Sequence, residues 1–314
     1  MRRAYKYPII RLKPKAEEKL LQTLGVCRSI YNAALEQRID AYKKQGKTLS
    51  SYDQSAEIKE LRKEFPWVAD VMVRVIQDTL ARLDKAYQAF FRRIKSGEEK
   101  PGFPKFKGKH FFNSFTYNYI SAFKLNGPWL ELSKIGKLRL NLHRPIQGQI
   151  KTCTIRKEGN RWFAVFSCIL PSPEPLPQTG KKIGIDLGLK TMAVTSDGHK
   201  YESASFFKNS EKKLARIQKI ASRKDKGSKR WKIAMTRVRK LQSKIANQRT
   251  NYMNIVSKEL IQNNDLVAHE KLSIVSMRTF DPGGAAGRAI QKKYTETAWG
   301  KLLWMLQYKG ETAG

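Results

Sequence analysis

The chain has 314 residues, and its 62 lysines and arginines outnumber 27 acidic residues to give a formal net charge of +35. The length allows two or three domains, and a hydrophobic content of 40% allows ordinary protein cores. Because so large a positive charge attracts polyanions and releases their counterions on binding, the composition points to nucleic acid as the partner.

Cysteine usage and apolar runs exclude further classes of protein. Cys27, Cys153 and Cys168 lie far apart without a Cys-x-x-Cys pair, which excludes a disulfide framework and a self-contained zinc site. No apolar run approaches the roughly 18 residues of a membrane helix. The basic N-terminus lacks the apolar stretch of a signal peptide. We therefore expect a cytoplasmic protein.

The first half of the chain is predicted to contain a strand, a helical region and a group of strands. Residues 4–12 are predicted to form a short strand, and the apolar spacing in 15–45 predicts an amphipathic helix. The clearest helix spans 69–95, and we interpret its polar face as a wall against a duplex. Period-two alternation then predicts strands within 112–170, which would form a small barrel or sheet that the first strand could join.

The second half begins with a predicted linker. Four prolines within residues 171–177 mark the best domain boundary of the chain. An apolar strand is expected at 182–188, followed by a hairpin that turns at 197–198. A second short strand is predicted at 264–270, and a helix at 290–308 follows it.

The most basic part of the chain lies between those two strands. Residues 208–250 contain 16 lysines and arginines against Glu211 and Asp225, a local net charge of +14. Their apolar spacing predicts two amphipathic helices joined at 225–228. Charge this one-sided repels itself unless phosphates neutralise it, so we favour binding to nucleic-acid backbones over a merely solvated face. The predicted backbone contacts are Lys105, Lys107, Lys212, Lys213, Arg216, Arg223, Lys229, Arg230, Arg237, Arg239 and Lys240.

Two carboxylates are candidates for metal ligands. Asp186 lies within the first apolar strand, where a charge is costly unless a metal or partner compensates it, and Glu270 ends the later strand. Carboxylates on adjacent strands can converge on Mg²⁺, which prefers oxygen ligands. A two-metal cleavage site would need three or four such acids. Ordinary capping or ion-paired acids are the competing interpretation.

Several motifs resemble those of a known family. Residues 184–190 (Gly-Ile-Asp-Leu-Gly-Leu-Lys) resemble the first RuvC motif of the TnpB (OrfB) proteins of transposons, which are relatives of type V CRISPR effectors. Residues 269–272 (His-Glu-Lys-Leu) resemble the second motif. The resemblance covers essentially the whole chain. Further family blocks follow in the right order at 27–32, 86–93, 104–107 and 299–309.

The resemblance implies an α+β multidomain fold, with a β-barrel wedge domain, an inserted helical recognition domain and an RNase H-like (RuvC) α/β domain. The expected ranges are 1–12 and 108–172 for the wedge, 13–107 for the insertion, 173–180 for the linker and 181–314 for the RuvC domain, with a basic hairpin at 208–262. Family members continue into a zinc ribbon and a third acidic strand, whereas this sequence ends at Gly314. We therefore expect an incomplete RuvC domain without zinc.

The resemblance also implies partners and site residues. The partners are a transposon-derived guide RNA (ωRNA) and the double-stranded target DNA that this RNA selects by base pairing. The protein itself reads a short motif adjacent to the target. Arg74 and Gln77 are candidates for contacts with base edges, because such side chains pair bidentately with guanine or adenine. Lesser candidates suggested by the family are Tyr52, Thr116 and Asn118. Asp186 and Glu270 are the expected catalytic ligands of Mg²⁺ in a prokaryotic, nucleoid-associated protein.

Three functions stay open from the sequence. The chain is part of an RNA-guided DNA endonuclease, a nuclease-inactive RNA-guided transcriptional repressor, or a decayed transposon remnant. The two retained carboxylates favour the first function and the missing third acid favours the second. Asp281, Glu296 and Glu311 are poor substitutes for that acid because of their positions in the sequence. We expect programmable DNA binding with cleavage lost or impaired.

Overall fold

The computed structural model describes residues 1–98, 101–109, 111–203, 206–273, 276–277 and 283–313. The chain divides into two compact units, Met1–Pro171 and Ser172–Gly314. Each unit has its own hydrophobic core. The division falls beside the proline-rich segment, which contains neither helix nor strand.

The helices of the first unit confirm the predicted helical region. They are α1 (Pro14–Gln45), α2 (Ser51–Glu64), α3 (Pro66–Ala69) and α4 (Val73–Lys95). Proline in the first turn starts α1, and Gly46, in the left-handed conformation at φ 63°, ends it. Ser50 and Asp53 form a reciprocal capping box that starts α2.

The strands of the first unit form one seven-stranded antiparallel sheet. They are β1 (Arg2–Ile10), β2 (Ser114–Tyr117), β3 (Phe123–Asn126), β4 (Trp129–Leu132), β5 (Gly136–Leu140), β6 (Gln149–Glu158) and β7 (Arg161–Ile169). The order is β2-β6-β7-β1-β5-β4-β3, so the N-terminal strand does join the sheet, as predicted, and lies at its centre.

The expectation of a closed β-barrel is wrong. The sheet ends at β2 on one side and at β3 on the other, and within the described residues no strand pairing joins these two edges. Each edge strand has only four residues, and α4 packs against β2. Short edge strands, one of them packed against a helix, allow the sheet to remain open.

Helices and sheet of the first unit share a single core. Tyr7, Phe115 and Phe166 from the strands are fully buried, together with Leu20 of α1 and Leu83 of α4. The helical segment therefore packs on the sheet and takes part in its core.

The second unit contains a four-stranded mixed sheet and four helices among its described residues. They are β8 (Lys182–Asp186), β9 (Thr191–Thr195), β10 (Lys200–Glu202), α5 (Phe206–Ser222), α6 (Lys229–Asn263), β11 (Leu266–His269), α7 (Gly284–Thr297) and α8 (Trp299–Ala313). The strand order is β10-β9-β8-β11, with β11 parallel to β8. The predicted turn at 197–198 is confirmed, since the Thr195 amide donates to the His199 carbonyl at 2.9 Å.

The helix expected at 290–308 is instead two helices. Ala298 adopts a left-handed conformation, φ 53° and ψ 33°, and separates α7 from α8. The Trp299 indole donates to the Met192 carbonyl at 3.2 Å, and Leu302 and Met305 are buried. Docking of α8 on the core thus fixes the break, which periodicity does not reveal. None of the helices in the described ranges is long and apolar enough to cross a membrane.

Candidate nucleic-acid interface and carboxylate pair

The two predicted metal ligands lie at the ends of neighbouring parallel strands. The register pairs Val267 with Ile183 and His269 with Ile185. Asp186 is the last residue of β8, and Glu270 directly follows β11. Asp186 and Glu270 therefore directly follow the last pair of this register, at the carboxyl edge of the sheet, an edge where open sheets commonly bind ligands.

The argument that Asp186 is a costly buried charge is wrong. Ile183 and Ile185 point into the core, and Asp186 is exposed because side chains alternate along a strand. Glu270 is exposed as well. Both carboxylates are therefore open to solvent and accessible to a cation.

The pair suits one Mg²⁺ better than two. The ion keeps several waters and is commonly held by one or two carboxylates. In the part of the chain that the structure describes, no group of three or more His, Cys, Asp or Glu side chains could hold a metal. Glu311 accepts a hydrogen bond from Gln307 at 3.1 Å, and Asp281 lies outside the described residues.

The basic hairpin is formed by α5 and α6, as predicted, with Ser228 capping α6 through the Trp231 amide at 3.1 Å. A small apolar core holds the two helices together, through Leu214 and Ala221 on α5 and Ala234 and Val238 on α6. Because these residues occupy the inner face, the basic side chains are directed outward.

All nine cations predicted on the hairpin are exposed. They are Lys212, Lys213, Arg216, Arg223, Lys229, Arg230, Arg237, Arg239 and Lys240. Among the described residues, none of the nine lies within 4.0 Å of a carboxylate. By contrast, exposed lysines of the first unit such as Lys44 and Lys63 are ion-paired on their own helices. The hairpin thus presents positive charge that the described carboxylates leave uncompensated.

The predicted DNA-contacting residues of α4 lie together. Arg74 is exposed and donates to the Gln77 side-chain oxygen at 3.1 Å. Its guanidinium also lies 5.3 Å from the centre of the Tyr119 ring, which is 53% exposed. Tyr119, which lies within the range 112–170 predicted to form strands, was not among the predicted contacts. The stack holds Arg74 in a defined direction at the surface.

Thr116 belongs to a hydrogen-bond network between α4 and the sheet. Its hydroxyl accepts a hydrogen bond from Arg82 at 2.5 Å and pairs with the Thr154 hydroxyl at 2.8 Å. Arg82 also donates to the Ser114 carbonyl at 2.8 Å and to Asp78 at 2.8 Å. Arg82, on the polar face of the helix, thus joins α4 to β2.

The last two predicted DNA contacts, Tyr52 and Asn118, are exposed. Tyr52 on α2 has 86% of its surface open to solvent, and Asn118 directly follows β2. In the described ranges no side-chain hydrogen bond or ring contact joins either residue to Arg74 or Gln77.

The loop that carries Lys105 and Lys107 is held by a residue that the sequence did not single out. The Asn32 side chain accepts from the Lys107 amide at 2.8 Å and donates to its carbonyl at 3.1 Å. Pro104 is buried, Lys105 is exposed and Lys107 is half-buried, with its ammonium 5.8 Å from the Tyr31 ring. The family-like block 27–32 was the signal that could have indicated Asn32.

Comparison with known proteins identifies relatives of the chain. Residues 165–281 match the OrfB family of IS605 elements, described as “Probable transposase”. Residues 1–47 match the helix-turn-helix domain of the same family, although here they form β1 and the single helix α1.

Two curated proteins align along nearly the whole chain. InsQ of Escherichia coli K12, named for RNA-guided DNA endonuclease activity, is 25% identical over 95% of this chain and 76% of its own length. A protein of Streptomyces pristinaespiralis with a name of the same kind is 28% identical over 98% of this chain and 75% of its own length. A solved Cas12f1–sgRNA–target DNA complex aligns over 99% of this chain and 83% of its own length at 12% identity and a TM-score of 0.37, too low to bear on fold or function.

Proposed function

Because the chain belongs to the OrfB family of IS605-type transposon proteins, we propose that it is an RNA-guided DNA-binding protein. It would bind a guide RNA and the double-stranded DNA selected by that RNA, beside a short motif read by the protein. The observation that carries the proposal is the hairpin of α5 and α6, with nine exposed cations and no carboxylate partner among the described residues. Backbone binding of this kind is independent of sequence and leaves target choice to base pairing.

The two units are proposed to divide this work. The first unit would combine the wedge and recognition functions, with Arg74 and Gln77 facing the target-adjacent DNA, and Lys105 and Lys107 facing phosphates. The mixed sheet of the second unit, with its helical hairpin, would be the RuvC-like part. Supporting this division are the boundary at 171–172 and the exposed Arg74–Gln77 pair.

Asp186 and Glu270 are proposed as the ligands of Mg²⁺. Their positions at the ends of parallel neighbouring strands, both exposed, fit one hard cation with water completing its shell. A bound Mg²⁺ would polarise a phosphodiester and lower the pKa of its bound water. The chain's own carboxylates would position that ion against the DNA backbone.

The test separates guided binding from cutting. Purified protein is mixed with its co-purifying RNA, and plasmids that match or mismatch the RNA are offered in buffers with and without Mg²⁺. Retention of the matched plasmid only, with affinity falling steeply between about 50 and 200 mM salt, is the expected result. Equal retention of both plasmids, or a protein that purifies without RNA affinity, contradicts the proposal. The loss of cutting stays a prediction, tested in the same reaction by plasmid linearisation.

A further inference from the structure

The strands β3, β4 and β5 form a meander whose outer face is polar and basic. Glu131 of β4 is paired in register with Lys124 of β3 and Lys137 of β5, and Trp129 is paired with Arg139. The alternate residues Leu130 and Leu138 are buried in the core of the first unit. The outer face carries Lys124, Asn126, Trp129, Glu131, Lys137 and Arg139.

Trp129 is unusual on this face. It leaves 47% of its surface open to solvent, while its neighbour Leu130 already occupies the core side of the strand. The Arg139 guanidinium lies 5.8 Å from the centre of the indole ring and helps to hold it. The meander therefore presents a large, oriented aromatic ring beside cations, and the core does not require it there.

Two clefts meet at this face. A cleft of about 360 Å³ is lined by Lys124, Asn126, Trp129, Glu131 and Lys137. A second cleft of about 740 Å³ shares Lys124 and Glu131, and it adds Lys19 of α1 and Lys134 of the β4–β5 turn. Within the described residues neither Lys124 nor Lys137 forms an ion pair with Glu131. Because the two clefts share Lys124 and Glu131, they adjoin one another, and we call them together the β3–β5 groove. Its lining contains four lysines and the two acidic residues Glu131 and Asp70.

From this arrangement we propose that the β3–β5 groove binds unpaired nucleotides of a single strand, with Trp129 as the stacking platform. The inference rests on the proposed function and adds a site to it. An unpaired base stacks on an exposed indole, whereas a base inside a duplex has both faces covered. The carboxylate of Glu131 and the amide of Asn126 can pair with base edges, and the lysines of the groove can neutralise phosphates.

The experiment measures binding of fluorescent eight-nucleotide RNA and DNA single strands and of a duplex of equal length. Trp129→Ala should weaken binding of the single strands roughly 5- to 100-fold, as removal of one stacking platform does, and leave the duplex unchanged. Trp129→Phe should restore most of that affinity because it keeps an aromatic face. Preference for RNA or for DNA identifies the source of the strand, and either preference supports the site.

Trp67→Ala is the matched control, since Trp67 is 44% exposed in the same unit but lies outside the groove. Single-strand affinity of Trp129→Ala equal to that of the wild type overturns the inference and leaves guided binding intact. An equal weakening on duplex also overturns it, because stacking would not explain that effect. Wild-type protein that binds none of the three probes contradicts the proposed function itself, and the inference with it.

Discussion

Asp186 and Glu270 directly follow Ile185 and His269, which form the last pair in the parallel register of β8 and β11. Adjacent strands lie about 4.8 Å apart, so the two carboxylates can approach a common cation. Neither residue contributes to the core, and either can be changed without removing an apolar side chain from it.

We predict that Asp186→Asn and Glu270→Gln each weaken divalent-cation binding by the isolated protein. Mn²⁺, which takes the same oxygen ligands as Mg²⁺, serves as the probe in an electron paramagnetic resonance titration. Glu174→Gln is the control, because Glu174 is exposed in the same unit and lies in the proline-rich segment, outside both strands. Unchanged Mn²⁺ affinity in both site variants would show that the pair is not a metal site.

The hairpin is predicted to set the salt dependence of nucleic-acid binding. Replacing Lys212, Arg216, Arg237 and Lys240 by glutamine should flatten the slope of log K against log salt by about 3–4 for a duplex, since each phosphate that the protein neutralises contributes roughly 0.9 to that slope. The matched control replaces Lys44 and Lys63, whose charges are already paired. A slope that stays the same in the fourfold variant would locate the phosphate-binding cations elsewhere.

Gln77 is predicted to read the DNA next to the target. Gln77→Ala should relax the preference among flanking sequences, reducing discrimination by about 1–3 kcal/mol at one base position, and affect the other positions little. Binding of guide-matched DNA with a randomised flank, followed by sequencing of the bound pool, measures this. Lys85→Ala, an exposed change on the same helix, provides the comparison. An unaltered preference in Gln77→Ala means that Gln77 contacts no base.

Arg82 is predicted to stabilise the first unit rather than contact DNA. Arg82→Ala removes its hydrogen bonds to Ser114 and Thr116 and leaves Asp78, its partner at 2.8 Å, half-buried and unpaired. Burial already raises the pKa of Asp78, against the effect of Arg82. We expect the free energy of unfolding to fall by about 1–3 kcal/mol in urea titrations, with partial recovery on adding Asp78→Asn. A variant as stable as wild type would contradict this role.

The acid side of the stability curve should depend on Asp84. Burial alone would raise its pKa, but hydrogen bonds from Ser51 and Arg38 outweigh burial, so the pKa lies below its ordinary value. A carboxyl whose pKa is lowered in the folded state stabilises the fold at any pH above its pKa in the unfolded state, which is about 4. This stability is lost as the pH falls through the pKa of the folded state.

Asp84→Asn should therefore be less stable than wild type at neutral pH, and the gap should narrow below about pH 4. Urea midpoints from about pH 7 down to about pH 3 test this. The Arg38 guanidinium remains buried and charged in the variant, so the free-energy cost of leaving it without the Asp84 carboxylate is the same at every pH tested. A gap that keeps its size at the acid end would contradict the assigned role of the Asp84 carboxylate.

Local patterns in the sequence predicted most helices and strands. The predictions that failed depend on contacts between segments that are distant in the sequence. The stripe on α4 and the alternation in β5 and β7 were visible because one face of each is buried. Closure of the sheet was not visible, because it depends on whether the four-residue strands β2 and β3 meet. The left-handed Ala298 was equally hidden, since alanine favours helix and only the docking of Trp299 fixes the break.

The candidate site was predicted unevenly for the same reason. Asp186 and Glu270 were identified by the motifs around them, and the strand register then placed them together. Asp186 is exposed because successive side chains of a strand point to opposite faces and its neighbour Ile185 points into the core. An apolar run does not reveal which of its residues face the core. The hydrogen bond between Arg82 and Thr116 joins residues 34 positions apart, and local sequence patterns do not predict such a contact. Both residues therefore looked like surface groups.

The placement of β1 at the centre of its sheet imposes an order of events during synthesis. Its residues Arg2 to Pro8 pair with Phe163 to Ile169, so β1 leaves the ribosome long before β7, the strand that pairs with most of its length. At roughly 5–20 residues per second, that partner arrives about 10–30 s later. Throughout this interval Tyr5 and Tyr7, both buried in the finished unit, remain without their neighbours on β7. A nascent chain of this protein is thus exposed to misassociation until the seventh strand emerges.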